Sequence, residues 1–429
     1  MLNRRRIDLI LEREIIEAMG CTEPAAAALA GAKAAELFGM KPERGVAVVS
    51  PNMMKNAMGV SIPNSSLHGI KAAVTLGITI HDSSAGLSVL STVTDKERME
   101  AQSFPLDVEI DENAPSLYVK VTVYGAGHSA SAVISGEHDR FTSLELDGRP
   151  LPEAPMFFPE CKSFSEDDFL ATLTIGDVLE YASNLSVVIK DLLRKAVAEN
   201  KAISKAGLTE EWGLSVGRLM GQTVKDPPSS LDEAMRKAAA AAAAGSDARM
   251  AGSVLPVMIN SGSGNQGITV TVPVAVVAEY LGKDEEEMLS AVSISELIGI
   301  ILTSHKDRLS ALCGAFTASI GTACAYAWLL GCDSTVLDAT INNMVGNLSG
   351  IICDGAKDTC ALKIYSSLIA ASIAVELAMK GKRAGGEAGI VGDDSLASID
   401  HLTRISHEGM EQTNRTILQI MLEKTKSGS

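Results

Sequence analysis

Apolar and polar positions interleave at helical spacing over residues 4–19, where Ile7, Leu9, Ile10, Leu11, Ile15 and Ile16 sit among Arg, Asp and Glu. That pattern predicts an amphipathic helix ended by Gly20. Cys21 falls in the turn, Thr22 is a good N-cap, and Glu23-Pro24 suits a first helical turn. A second helix follows through AAAALAGAKAAELF to Gly39. Val46–Ser50 reads as a short strand, while 52–60 and 66–76 look helical or turn-like. Leu117–Val123, Ser129–Ser135 and Thr142–Asp147 alternate apolar and polar residues, separated by Gly125-Ala-Gly127 and Gly136-Glu137. These predict a three-stranded antiparallel meander, which with Val46–Val49 makes a small sheet carrying helices on one face. The proline-rich stretch Pro150–Phe164 reads as a linker. Beyond about residue 170 the strand signal nearly vanishes. Helical periodicity then runs through 174–205, 208–222, 230–244, 271–281, 284–303, 309–331, 334–348 and 359–380.

The expected class is therefore α+β. A small N-terminal α/β domain with an antiparallel sheet, residues 1–165, precedes a large, mostly α-helical domain, residues 166–429. A chain of 429 residues is long for a single core, which supports two domains. Aromatics are only 4% of the chain, so Ala, Gly and Met carry the apolar load, as closely packed helices require. A net charge of −16 argues against nucleic acid or anionic lipid as partners. Leu309–Cys332 and Gly252–Ala278 are uncharged, but both are rich in Gly, Ser, Thr or Asn. They read as buried helical-domain segments rather than membrane spans. Asp8, Glu12 and Glu14 interrupt any apolar leader, so no signal peptide is expected and a cytoplasmic location is. The seven cysteines are then expected to be reduced: core residues, metal ligands or catalysts.

Candidate chemistry lies at four places. Cys21 precedes a helix N-terminus, where unpaired N–H groups would lower a thiol's pKa. In that place it is either a reactive thiol or a buried structural cysteine, and position alone favours neither. Asn260-Ser-Gly-Ser-Gly-Asn-Gln-Gly267 can gather backbone amides, with Ser261, Gly262, Ser263, Gly264 and Asn265 at its centre. It lacks the Gly-Lys-Ser/Thr ending of a P-loop, so a small carboxylate suits it better than a nucleotide, and a plain tight turn remains the alternative. Asn52, Lys55, Asn56, Ser65 and His68 follow the first strand and are candidates to face a ligand. Cys313, Cys353 and Cys360 offer three soft thiolates, incomplete for zinc and suited to a [4Fe-4S] cluster with one open iron, or else three buried small residues. Cys161, Cys324 and Cys332 read as structural.

Taken together, Gly20-Cys21-Thr22-Glu23-Pro24, Pro51-Asn52-Met-Met-Lys55-Asn56, Asn260–Gly267, Leu312-Cys313-Gly314-Ala315 and Gly350-Ile-Ile-Cys353-Asp354-Gly355-Ala356-Lys357 resemble the L-cysteine desulfidase family nearly end to end. More distantly they resemble the iron–sulfur L-serine dehydratases. The resemblance implies a [4Fe-4S] cluster on Cys313, Cys353 and Cys360, with Cys21 as the reactive thiol. It also implies elimination from a small L-amino acid without pyridoxal phosphate. L-cysteine would give pyruvate, ammonia and hydrogen sulfide, with an open iron as Lewis acid, Cys21 as base, and the substrate carboxylate in the Ser261–Asn265 nest beside Thr22. The Cys-Thr-Glu-Pro turn stands where the serine dehydratases carry a Ser- and His-rich turn. No counterpart exists here of the C-terminal cysteine that caps the cluster in some of them. L-serine as substrate is the first alternative. A pyridoxal-phosphate lyase, with Lys55 or Lys357, lacks a phosphate cup. A non-catalytic amino-acid sensor would leave the helical half unexplained. An extensive helical surface makes a homodimer plausible.

Overall fold

The structure, a computed structural model, describes residues 2–65, 67–151, 166–306 and 309–427. It is α+β, with a small sheet in the N-terminal half and helices through the rest. The sheet has six strands: Leu106–Ile110, Arg44–Val49, Tyr118–Gly125, His128–Ser135, Phe141–Leu146 and Arg149–Pro150, in that spatial order. The expected meander is present, each strand antiparallel to the next. Arg44–Val49 joins it antiparallel to Tyr118–Gly125. The edge strand Leu106–Ile110 runs parallel to Arg44–Val49, so the sheet is mixed rather than purely antiparallel. Its alternation is only five residues long and follows directly on the helix Asp95–Ser103, which hid it from pattern reading.

Val119, Val121 and Val123 turn inward from their strand and are buried beneath the helix Thr22–Phe38, on which the helix Gly69–Ile80 packs in turn. Those two helices approach backbone to backbone. A Cβ placed on Gly77 would lie 1.9 Å from the Ala28 carbonyl oxygen, and one on Gly31 would lie 2.6 Å from that of Val74. Alanine at position 77 forces the helices apart. Gly77→Ala is expected to destabilise the fold by about 1–3 kcal/mol, read as a lowered melting temperature with an unchanged spectrum of the native state.

In the helical half the same logic repeats around Leu231–Met250, whose alanine run Ala238–Ala244 is entirely buried. A Cβ on Gly207 would meet the Ala244 carbonyl at 1.9 Å, and one on Gly217 would meet the Ala244 amide at 2.1 Å. Small side chains here set interhelical distance, which is why so few aromatics suffice. Gly264–Tyr280 and Cys360–Met379 pack directly on this helix, and Glu285–Ser304, Gly314–Leu329 and Ser334–Leu348 pack on those two and on one another. The two uncharged stretches fall mainly in Gly264–Tyr280 and Gly314–Leu329, both largely buried. Among the described residues two helices, Glu285–Ser304 and Cys360–Met379, are long and apolar enough to cross a membrane by length and composition, and the first is 78% buried in the protein.

Several element boundaries differ from the pattern. The first helix stops at Glu14, and Glu17–Ala18 forms a two-stranded ribbon with Val257–Met258. Ile16 and Glu14 carbonyls accept from the Ile259 and Ser261 amides, extending that pairing. Charge and aliphatic spacing continue through residue 19, but a strand partner 240 positions away overrides them. Ser186 breaks 174–205 into Ile175–Ala182 and Val187–Thr209 by capping the second. The expected helix 208–222 shrinks to Val216–Gly221, and 309–331 to Gly314–Leu329. The expected linker falls almost wholly outside the described residues.

Candidate active site

The ribbon just described fixes two loops side by side. Past Ala18 the chain turns at Gly20, whose φ of +69° and contact with the Pro63 ring exclude a side chain. It then enters the helix Thr22–Phe38 with Cys21, not Thr22, as the N-cap. Past Met258 the chain makes a tight turn in which Asn260 and Ser263 exchange backbone hydrogen bonds. Ser261 and Gly262 adopt φ of +48° and +79°, and the helix Gly264–Tyr280 begins behind them. The Thr22 hydroxyl donates to the Gly262 carbonyl at 2.6 Å and so bolts the two loops together.

The cysteine triad hangs from another short pairing. The Cys313 amide donates to the Ile351 carbonyl and the Cys353 amide to that of Ala311. Cys313 then caps Gly314–Leu329, and Cys360 opens the helix Cys360–Met379. Between them Gly355, at φ +92°, presses against the backbone of Lys55, where a Cβ would lie 2.4 Å from the carbonyl oxygen. This contact docks the cysteine loop on the short helix Pro51–Ala57. From that helix Asn56 donates to Glu23 Oε1 at 2.9 Å. A continuous chain of contacts thus links the triad to Cys21.

One cavity collects these parts. Cys21, Thr22, Asn56, Ser261, Gly262, Ser263 and Asn265 line it, and so do Cys313, Cys353 and Cys360. Gly264 lies just behind the lining, and Asn52 is turned away, donating to the Ser116 hydroxyl. The nest is only partly open. The Ser261 and Ser263 amides are used inside the fold, leaving those of Gly262, Gly264 and Asn265 without a backbone partner among the described residues.

Residues the pattern did not single out share the cavity: Glu23, His138, Arg249, Gln266 and Lys306. Glu23 was visible only as a first-turn acid, yet it is buried and accepts from the Cys21 thiol at 2.8 Å. Arg249 closes an alanine-rich helix, and a cation in such surroundings was the available signal.

The electrostatics differ from the sequence expectation for Cys21. A helix N-terminus alone would lower its pKa, but burial, followed by the Glu23 carboxylate, holds the thiol well above its ordinary value. Burial also pushes Glu23 up. The nearby His138 and the hydrogen bonds from the Cys21 thiol, the backbone and Asn56 outweigh it, so the carboxyl stays below the usual range. The resting pair is a thiol on an ionised carboxylate. In the triad the Cys313 thiol donates to Cys353, which is held low as a thiolate with help from Lys55. That hydrogen bond and burial raise Cys313. Burial, then the Cys353 charge, pushes Cys360 up to about 11. Lys55 is fully buried, bonded to Asn414 Oδ1 at 2.7 Å.

Three thiols with buried lysine charge beside them fit an iron–sulfur cluster. Among the described residues no group of three His, Cys, Asp or Glu side chains is set closely enough for one metal ion. A cubane takes each thiolate at a separate iron, so its ligands need not meet at one point.

Behind the nest, Asn260 Nδ2 donates to Glu296 Oε2 at 2.6 Å and to the Glu296 carbonyl at 3.1 Å. Burial raises the Glu296 carboxyl to about 8, against an ordinary value near 4.5, the Asn260 bond only partly opposing it. Between those values the folded chain holds a proton that the unfolded chain has released. Stability therefore falls as pH rises through this window. Glu296→Gln keeps a neutral hydrogen-bonding side chain without the titration. Its melting temperature is expected to exceed the parent's by several degrees at pH 9, with the difference vanishing near pH 4.

With this geometry in place, comparison with known proteins gives a consistent picture. A family profile described as serine dehydratase alpha chain matches residues 84–419. A UPF0597 protein of Oleidesulfovibrio alaskensis is 39% identical over 424 residues, 98% of each chain. One from Aeromonas hydrophila is 37% identical over 417 residues, 97% of this chain and 95% of its own. One from Bacteroides thetaiotaomicron is 36% identical over 426 residues, 98% of each.

Proposed function

The chain belongs to the serine dehydratase alpha chain family, and from that premise we propose that it is an iron–sulfur lyase that eliminates the β-substituent of a small L-amino acid, L-cysteine foremost. The observation that carries this reading is the sharing of one cavity by Cys21 and the triad Cys313, Cys353 and Cys360. The three triad thiols would hold a [4Fe-4S] cluster. When bound, the cluster supplies Lewis acidity to the leaving β-heteroatom.

The chain's own groups do the rest. Glu23 takes the thiol proton from Cys21 as the Cys21 sulfur takes the α-proton, so the pair ends with one proton on each group. The resting hydrogen bond already aligns that transfer. Asn56 and Thr22 hold Glu23 in place. The unpaired amides of Gly262, Gly264 and Asn265 offer donors to the substrate carboxylate. The aminoacrylate released hydrolyses to pyruvate and ammonia.

L-serine is a second reading, favoured by the family's description. The test is anaerobic purification and reconstitution, iron and sulfide counts, and assays of pyruvate and sulfide from L-cysteine and L-serine. About four irons per chain with sulfide release from L-cysteine is the expected result. Pyruvate from L-serine alone would select the second reading. Turnover of neither by iron-loaded protein would refute both.

A further inference from the structure

Arg249 is a buried cation with an open end. Its side chain lines the active cavity, yet the residue is only 3% exposed. Nε donates to the Gly20 carbonyl at 3.0 Å. The terminal nitrogens have no hydrogen-bond or ion-pair partner among the described residues. A guanidinium kept from water without a carboxylate beside it is costly, and an anion entering the cavity would remove that cost.

Charge in the cavity is divided. Lys55 and Lys363 act on the triad, with Lys363 also ion-paired to Asp354. Lys306 and His138 also line the cavity, and Arg249 is the cation that acts on Cys21. It is therefore placed to serve something other than the thiolates of the triad. The fold also makes room for it. A Cβ on Gly264 would lie 2.4 Å from Arg249 Nε and 2.7 Å from its Cζ, so the guanidinium packs directly against the start of the helix Gly264–Tyr280.

We propose that Arg249 binds the α-carboxylate of the substrate and thereby selects amino acids, and small carboxylic acids generally, over amines. The inference rests on the elimination reading above and adds to it the group that anchors the unreactive end of the substrate. Arg249 and the helix start grip the carboxylate from two sides. A two-point grip fixes the α-carbon relative to Cys21.

The test uses cluster-loaded protein and two thiols that cannot be deaminated to pyruvate. 3-Mercaptopropionate has the carboxylate without the α-amine, and cysteamine has the amine without the carboxylate. Binding is read by calorimetry and by inhibition. Arg249→Gln is expected to lose ~10–100-fold in affinity for 3-mercaptopropionate, the range for a hydrogen bond to a charged group. Cysteamine affinity is expected to stay within about twofold, because it makes no carboxylate contact. Arg249→Lys, which keeps the charge in a smaller hydrogen-bonding head, is expected to recover part of the loss. Unchanged binding of 3-mercaptopropionate to Arg249→Gln overturns the proposal, as does an equal loss for both thiols in both variants. If the parent protein turns over cysteine or serine while Arg249→Gln keeps its grip on the acid, only the Arg249 assignment falls. If the parent turns over neither, yet acid binding still depends on Arg249, the elimination reading falls and the carboxylate site stands.

Discussion

Cys353→Ala, purified and reconstituted without oxygen, is expected to hold well below four irons per chain and to show no elimination above background. Cys353 is the member of the triad held as a thiolate, stabilised by the Cys313 thiol and by Lys55. Thiolates, not thiols, bind soft iron, and Cys353 is one of the three residues proposed to hold the cluster. Its loss also removes the first of the negative charges acting on the buried Lys55 ammonium, leaving the Glu23 and Asp354 carboxylates and the Asn414 bond. A modest drop in melting temperature is expected alongside the loss of iron. Cys324→Ala is the matched control. That thiol is buried among helices away from the cavity and should leave iron content untouched. Retention of all four irons by Cys353→Ala would overturn the ligand assignment.

Glu23→Gln is expected to lower kcat by roughly 10²–10⁴-fold, the range for removal of a positioned acid–base group, with little change in KM. Glutamine fills the same space but cannot take the proton from Cys21. Proton removal from the α-carbon then becomes the slow step. The kinetic isotope effect with α-deuterated substrate should rise in the variant. A side chain that merely supported the loop would not produce that change. An unchanged kcat, or an isotope effect equal to the parent's, would remove Glu23 from proton transfer. Cys21→Ser gives an independent reading, since an alcohol in the same place is a far weaker acid and should show the same isotope signature. Full turnover by Cys21→Ser would take Cys21 out of the base role.

Much of this organisation was legible in the sequence because it is local. Alternation over 117–123, 129–135 and 142–147 declared a meander, turn residues marked its corners, and the observed strands match within two residues. The scarcity of aromatics and the alanine run 238–244 signalled close helix packing. The motifs around Cys21, Asn260–Gly267 and the triad were visible as words, and the structure brings them to one cavity. Relations set by distant partners were not legible. Ile15 to Ala18 keep a helical pattern but run extended, because Val257–Met258 pairs with them. The pKa of Cys21 illustrates the same limit. Its helix position was readable, whereas its burial against Glu23 depends on how the turn packs on Asn56 and Gly262. Arg249 shows it again: it ends a helix that also carries Arg236 and Lys237, and only the tertiary packing turns it into the cavity.

The ribbon that joins Glu17–Ala18 to Val257–Met258 has a bearing on biogenesis. At ~5–20 residues per second of synthesis, its second strand emerges roughly 10–50 s after its first. Until then that ribbon cannot hold Cys21 against the Asn260 turn, and the last triad cysteine, Cys360, comes later still. The nascent chain therefore carries exposed thiols for most of its translation, and the cavity closes only once nearly the whole sequence is made. A metal centre held by all three triad cysteines can therefore be completed only after Cys360 has been made, late in synthesis or after it.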